Sequence, residues 1–245
     1  MIILGDIGNT ETKLFLVKNN KIIKKIIIPS KGKKINILKK NFRKFQFSKL
    51  EKILFCSVVP STFKELKNYF SKKTKIRCFE LKELNLRSIL KIDVNYKQVG
   101  SDRLANAISI SKKNENFIIL DFGTATTFDV LIGNNYKGGI ISPGIKLSLN
   151  TLADKASLIP KINLKKVSKV VGKDTKSAVR SGFFWGYSGL IDNVINLIKK
   201  ETKKSFKIII TGGFSKLFKN SIKTKTKQDF DITINGLKKA SKLIK

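Results

Sequence analysis

Two short segments hold the residue types from which a phosphate-handling site can be built. The first is Asp6-Ile7-Gly8-Asn9-Thr10, and the second is Asp121-Phe122-Gly123-Thr124-Ala125-Thr126-Thr127. In each, an apolar run delivers a carboxylate to the end of a strand, and a glycine then lets the backbone come close to a bound group. Asn9, Thr10 and the N–H groups of the turn are suited to donating to phosphate oxygens. Asp6 is suited to holding Mg²⁺, directly or through water. Either segment alone reads equally well as an ordinary turn. A third turn, Thr211-Gly212-Gly213-Phe214, follows the apolar run Ile208–Ile210 and suits close approach of backbone to a nucleotide base or ribose. Neither a GxxxxGK[ST] loop nor a GxGxxG fingerprint occurs, so a P-loop or dinucleotide-binding reading has no support.

The elements that must position these turns emerge from an internal repeat. Placing Asp6 on Asp121 aligns Gly8 with Gly123, Thr12 with Thr127, Leu16 with Leu131, Asn19 with Asn134 and Asn20 with Asn135. Each copy predicts a buried strand, a turn, a second strand ending at Asn-Asn, and a third strand, Lys21–Ile28 or Gly138–Ser142. Further strands are predicted at Lys52–Val59 and Lys207–Thr211. Helical spacing of apolar residues predicts helices over Ser101–Ser111, Ser177–Ile198 and Ile234–Ile244. The pattern is mixed α/β with two similar lobes, and two such turns facing each other would grip a polyphosphate. The polar run SKKNEN at 111–116 marks the boundary, giving lobes of 1–115 and 116–245.

Composition narrows the chemistry. The 245 residues include no histidine, so acid–base work falls to carboxylates, lysine or tyrosine. Two cysteines, Cys56 and Cys78, are too few for a disulfide framework and are read as reduced residues in or near strands. No apolar stretch approaches a membrane span, and no signal-like leader is seen, so a cytoplasmic location without membrane attachment is expected. Fifty-one Lys and Arg against 17 acidic residues give a net charge of +34. The lysines are dispersed, and aromatic residues do not interleave them as in an RNA-binding motif. Salt-sensitive, sequence-independent contact with polyanions is the most this charge implies, and no specific nucleic-acid partner is expected.

Six segments, in this order and spacing, give the chain a resemblance to the type III pantothenate kinase family along nearly its whole length. They are DIGNT (Asp6–Thr10), VGSDRLANA (Val99–Ala107), DFGTATTFD (Asp121–Asp129), GGIISPG (Gly138–Gly144), GKDTKSAVRSG (Gly172–Gly182) and ITGGF (Ile210–Phe214). The resemblance implies an α/β fold of the actin/Hsp70/sugar-kinase (ribonuclease H-like) type, each lobe a mixed sheet with helices. It implies phosphorylation of pantothenate with ATP, the first step to coenzyme A, with Mg²⁺ and a monovalent cation (K⁺ or NH₄⁺), by a homodimer. Carried over by position, Asp6, Ile7, Gly8, Asn9, Thr10, Glu11, Thr12 and Lys13 form the first phosphate loop, and Thr124 touches ATP. Gly100, Ser101, Asp102, Arg103 and Thr175 contact pantothenate, with Asp102 the proton acceptor. Asp121 holds the monovalent cation. The family's tyrosine seven residues before the glycine of Gly-x-Asp-Arg is replaced by Asp93, while Tyr96 is offset. Read without the family, Ser101 is an N-cap and Asp102 a favourable first-turn charge. Two alternatives stand beside this reading: a kinase of the same fold for another small hydroxyl substrate, and a regulatory or polyanion-binding protein that keeps the fold without the catalysis.

Overall fold

The computed structural model describes residues 1–32, 34–43 and 45–244. In chain order the elements are β1 (Ile2–Ile7), β2 (Glu11–Lys18), β3 (Lys21–Pro29), α1 (Lys34–Asn41), β4 (Lys52–Ser57), α2 (Pro60–Ser71), β5 (Cys78–Glu80), β6 (Lys91–Ile92) and α3 (Ser101–Ile110). There follow β7 (Asn116–Phe122), β8 (Ala125–Ile132), β9 (Asn135–Pro143), α4 (Ile145–Lys155), α5 (Thr175–Thr202), β10 (Lys207–Gly212), α6 (Ser215–Phe218), β11 (Thr226–Gln228) and α7 (Ile232–Ala240).

The chain forms two compact units. The first comprises Met1–Ser111, Asn134–Tyr136 and Asp231–Lys245, and the second Lys112–Gly133 and Lys137–Phe230. The boundary expected at 115/116 thus falls a few residues early, and the C-terminal segment returns to the first unit. The reason is packing. Residues of α7 lie against α3 so closely that a Cβ on Gly236 would stand 1.8 Å from the Ala105 carbonyl oxygen. Thr233 also donates to Asn106 Oδ1 at 2.7 Å.

Each unit is organised around a mixed sheet. In the first the order is β3-β2-β1-β4-β5, with β1 antiparallel to β2 and parallel to β4. Its apolar strand residues meet α1 and α2 in a core holding Ile3, Ile7, Leu14, Phe55 and Phe70. Gly5 leaves the space that Phe55 fills, since a Cβ there would stand 2.2 Å from the ring. In the second the order is β11-β10-β7-β8-β9, with β7 antiparallel to β8 and parallel to β10. Its core stacks Phe122 on Phe218 at 5.4 Å, and Phe184 on Phe218 at 5.5 Å. No helix among the described residues is long and apolar enough to cross a membrane.

The repeat is present, but its register differs from the ungapped alignment. Asp6 lies opposite Lys13, whereas Asp121 lies opposite Thr127. The second turn is one residue shorter, so Thr12 corresponds to Thr126, not to Thr127. Both of these threonines are fully buried. The tight turn after the second strand shifts likewise: Asn19-Asn20 in the first copy, both in the left-handed region, matches Gly133-Asn134 in the second.

The contact between α3 and α7 sets a measurable expectation. Gly236→Ala forces a methyl group into the Ala105 backbone and should destabilise the protein by about 3 kcal/mol, in the range of overpacked cores. Urea unfolding followed by circular dichroism checks this, and an unchanged midpoint would contradict the packing described.

Candidate active site

In the first unit the chemistry gathers at the ends of β1, β4 and β5 and the start of α3. Strand β1 carries Asp6 to its end, flanked by Lys13 on β2 and Cys56 on β4. The buried Cys56 thiol points at Asp6 Oδ1 from 3.7 Å. Burial raises the Asp6 pKa from 3.8 to about 6; Lys13 opposes the shift, and the nearby Asp102 carboxylate adds to it. Asp102 occupies the first turn of α3, where its Oδ1 accepts the Arg103 N–H at 2.8 Å. Its pKa is raised by burial, against the lowering effect of that bond and of the Arg103 charge. Two carboxylates, both disfavoured as anions by burial, therefore share one neighbourhood.

The turn after β1 is braced from behind by hydroxyls. Ser30 at the end of β3 donates to the Gly8 carbonyl at 2.6 Å and pairs with the buried Thr12 hydroxyl at 2.9 Å. Thr62 on α2 donates to the Ser30 carbonyl at 2.9 Å. These bonds satisfy buried polar groups and hold the exposed Asn9 and Thr10 outward. The Gly8 N–H closes its own turn on Glu11 O, and the Gly123 N–H closes the second turn on Ala125 O, each at 3.0 Å. The two glycine N–H groups are thus spent inside their turns, and donors to a phosphate must come from other atoms of the loops. Sequence reasoning missed this because a turn's internal bond is invisible in residue types.

In the second unit Asp121 ends β7 beside the glycine turn that follows β10. Gly212 has φ +84°, and a Cβ there would stand 2.6 Å from Asp121 Oδ1 and from the Phe122 backbone. Only glycine suits this position. The Gly213 N–H donates to Phe122 O at 3.1 Å, tying the two turns together. Gly144, which opens α4, lies on the other side: a Cβ there would stand 2.0 Å from Thr124 O. Tyr187 on α5 secures that contact by donating to the Pro143 carbonyl at 3.0 Å. The motifs DFGT, SPG and TGG therefore form one backbone-rich cluster around Asp121. Thr175 begins α5, exposed, next to a capping box between Asp174 and Ser177.

The structure thus brings Asp6, Lys13, Asp102 and Arg103 together in one unit, and Asp121 and Thr124 in the other, with Thr175 also in the second. Asp93 is exposed. Tyr96 is half-buried and donates to the Lys82 carbonyl at 3.0 Å, which occupies its hydroxyl proton. One residue of this neighbourhood was not foreseen: Glu80, whose carboxylate accepts from Ser57 N–H, Lys82 N–H and the Ser101 hydroxyl. Nothing in the run CFELKEL distinguishes it from a surface glutamate.

Comparison with known proteins gives this arrangement its setting. A family model described as type III pantothenate kinase matches residues 2–197. A type III pantothenate kinase from Pelagibacter ubique (strain HTCC1062) is 64% identical, with 100% of both chains covered. The chain belongs to the type III pantothenate kinase family. Among solved structures, the kinase is similar to a chain from Campylobacter jejuni described as a Baf family transcriptional activator, with TM-score 0.66 and 23% identity over 98% of this chain and 97% of that one. It is also similar to MreB 5 of Spiroplasma citri bound to AMPPNP, with TM-score 0.54 and 13% identity over 99% and 96%. Such likenesses carry the fold alone, and the fold of this kinase is that of the actin/sugar-kinase/Hsp70 group.

The raised Asp6 pKa makes a stability prediction. An acid whose folded pKa lies above its unfolded value holds its proton more tightly when folded. Its contribution therefore falls as pH rises from about 4 to about 6. Asp6→Asn lacks that penalty, so the variant should gain on the unmodified kinase across this window, by on the order of 2 kcal/mol at pH 7. Denaturant unfolding of both proteins at pH 4 and 7 measures it, and a pH-independent difference would sink the assignment.

Proposed function

We propose that this kinase transfers the γ-phosphoryl group of ATP to the terminal hydroxyl of pantothenate, opening coenzyme A synthesis in the cytoplasm. The observation that carries the reading is the pairing of Asp6 with Asp102, one at the end of β1 and one in the first turn of α3, within a chain of this family. Asp102 serves as the general base: it accepts the hydroxyl proton as that oxygen bonds to phosphorus and the bond to ADP breaks. Its burial raises its proton affinity, and the Arg103 N–H keeps its carboxylate oriented. Gly100, Ser101, Arg103 and Thr175 contact pantothenate, the guanidinium pairing with the substrate carboxylate.

Asp6 to Lys13 and Thr124 contact ATP. Asp6 suits Mg²⁺, since a divalent charge would offset the desolvation that now raises its pKa. No group of three or more His, Cys, Asp or Glu among the described residues could hold a metal by itself. A Mg²⁺ ion on Asp6 would take most of its ligands from phosphate and water. Such an ion supplies neutralisation of charge developing on the transferred group. Asp121, whose carboxylate lies where a side chain on Gly212 would otherwise stand, suits K⁺ or NH₄⁺ held through oxygen. A homodimer is supported by α5, where Gly182 and Gly186 leave open space along an apolar groove of about 390 Å³ lined by Phe183, Tyr187 and Leu190.

Two measurements test the proposal. In an assay with ATP, Mg²⁺ and K⁺, pantothenate should be phosphorylated far faster than hexoses or glycerol; equal rates would sink the substrate assignment while leaving the fold untouched. Asp102→Asn keeps side-chain size and can still favour the helix start. It should lower kcat by about 10²–10⁴-fold with little change in Tm, and near-normal turnover would remove Asp102 from the mechanism.

A further inference from the structure

Glu80 stands at the end of β5 and belongs to none of the motifs. Its Oε2 accepts the Lys82 N–H at 2.6 Å. Its Oε1 accepts the Ser57 N–H, at the end of β4, at 3.3 Å, and the hydroxyl of Ser101. The carboxylate thus joins three segments: the end of β4, its own turn, and the first residue of α3. Ser101 is 1% exposed, so its hydroxyl has no access to solvent as a substitute partner. Among the described residues no lysine or arginine forms an ion pair with Glu80. Its partners are neutral donors arriving from fixed directions, which suits alignment better than charge neutralisation.

The same turn holds the other approach to α3. Lys82 Nζ donates to the carbonyls of Lys97 at 3.0 Å and Val99 at 2.8 Å, immediately before Gly100. Gly100 in turn allows Asp102 to fold back: a Cβ there would stand 2.6 Å from Asp102 Oδ1. The start of α3 is therefore gripped by residues 80–82 at its backbone entry and at its first side chain, with Asp102 next in sequence. Glu80 also faces the reacting neighbourhood. The buried Cys56 thiol, 3.7 Å from Asp6 Oδ1, is pushed well up by burial and further by the charges of Asp6, Asp102 and Glu80.

We infer that Glu80 is a positioning residue for the phosphoryl-transfer step, fixing the place of Asp102 through the Ser101 hydroxyl. The inference rests on the role proposed for Asp102. A displacement of about 1 Å in such a group can cost about 10²-fold in rate, so loosening one of its tethers should be visible in turnover.

The test is a double-mutant cycle on the full chain. Ser101→Ala removes one bond, keeps the backbone through which Ser101 would contact pantothenate, and leaves the contacts of Glu80 with Ser57 and Lys82 intact, so the variant should fold. Its kcat for pantothenate should fall about tenfold, with KM for ATP changed by less than about twofold. Glu80→Gln, which keeps an acceptor for Ser101 but turns an NH₂ group toward one backbone donor, should lie between the two. In the Asp102→Asn background, adding Ser101→Ala should change kcat by less than about twofold, because the group being positioned is no longer a base. A purely structural role predicts a lower Tm with normal kcat, or the same fold-loss in both backgrounds; either result overturns the inference. Normal turnover by Asp102→Asn alone would instead remove the base itself. A crippled Asp102→Asn beside a normal Ser101→Ala would remove only the role of Glu80.

Discussion

A carboxylate that must remain ionisable while half-buried constrains most of the first unit. Asp6 is at the end of β1 because that strand is the centre of its sheet, paired on both sides. The position brings desolvation and the repulsion of Asp102, offset in part by the charge of Lys13. Catalytic sites accept such a cost, since groups held in a destabilised state respond strongly to ligand charge. Around this point the structure is correspondingly stiff. The Ser30–Thr12–Thr62 hydroxyls brace the turn from behind, and the thiol of Cys56 fills the space beneath the carboxylate without adding a second charge.

The second unit solves a different problem with the same hairpin. Its turn is one residue shorter, and the carboxylate of Asp121 lies where a side chain on Gly212 would otherwise stand. Close approach of this kind depends on absent side chains. Three glycine-bearing motifs far apart in sequence, DFGT, SPG and TGG, converge because each omits the atoms that would keep the others away. A duplicated supersecondary element has thus been adapted at its tip, one copy toward a desolvated acid and one toward close approach of three glycine turns.

Much of this was legible in the sequence. Matching turn residues exposed the duplication, and the strand-turn-strand order, the long α5 and the helix opening at Ser101 follow from apolar periodicity and turn chemistry. The one-residue slip was not legible, because every residue of the second turn is a good turn former and offers no mark of where a deletion lies. The spent N–H groups of Gly8 and Gly123 depend on turn closure, which residue type does not encode. Glu80 was hidden for a more general reason: its partners come from three segments, and a glutamate beside Lys82 and Glu83 in CFELKEL reads as solvated surface. The return of the C-terminal helix to the first unit depends on the fit of Gly236 against Ala105, a contact between residues more than a hundred positions apart.

That return affects the order in which the protein can take shape during synthesis. Nearly all the residues of the first unit leave the ribosome early, carrying Asp6 and Asp102 with them. The face of α3 that α7 covers, however, stays bare until the whole second unit has been made. The second unit has no such dependence and can condense while the first still waits. A nascent chain therefore holds Asp6 and Asp102 on an incompletely covered scaffold for most of its elongation, with apolar surface open to chaperones or to neighbouring chains. Closure of that scaffold is a late, long-range event, and assembly of the proposed base site is deferred until the last helix docks.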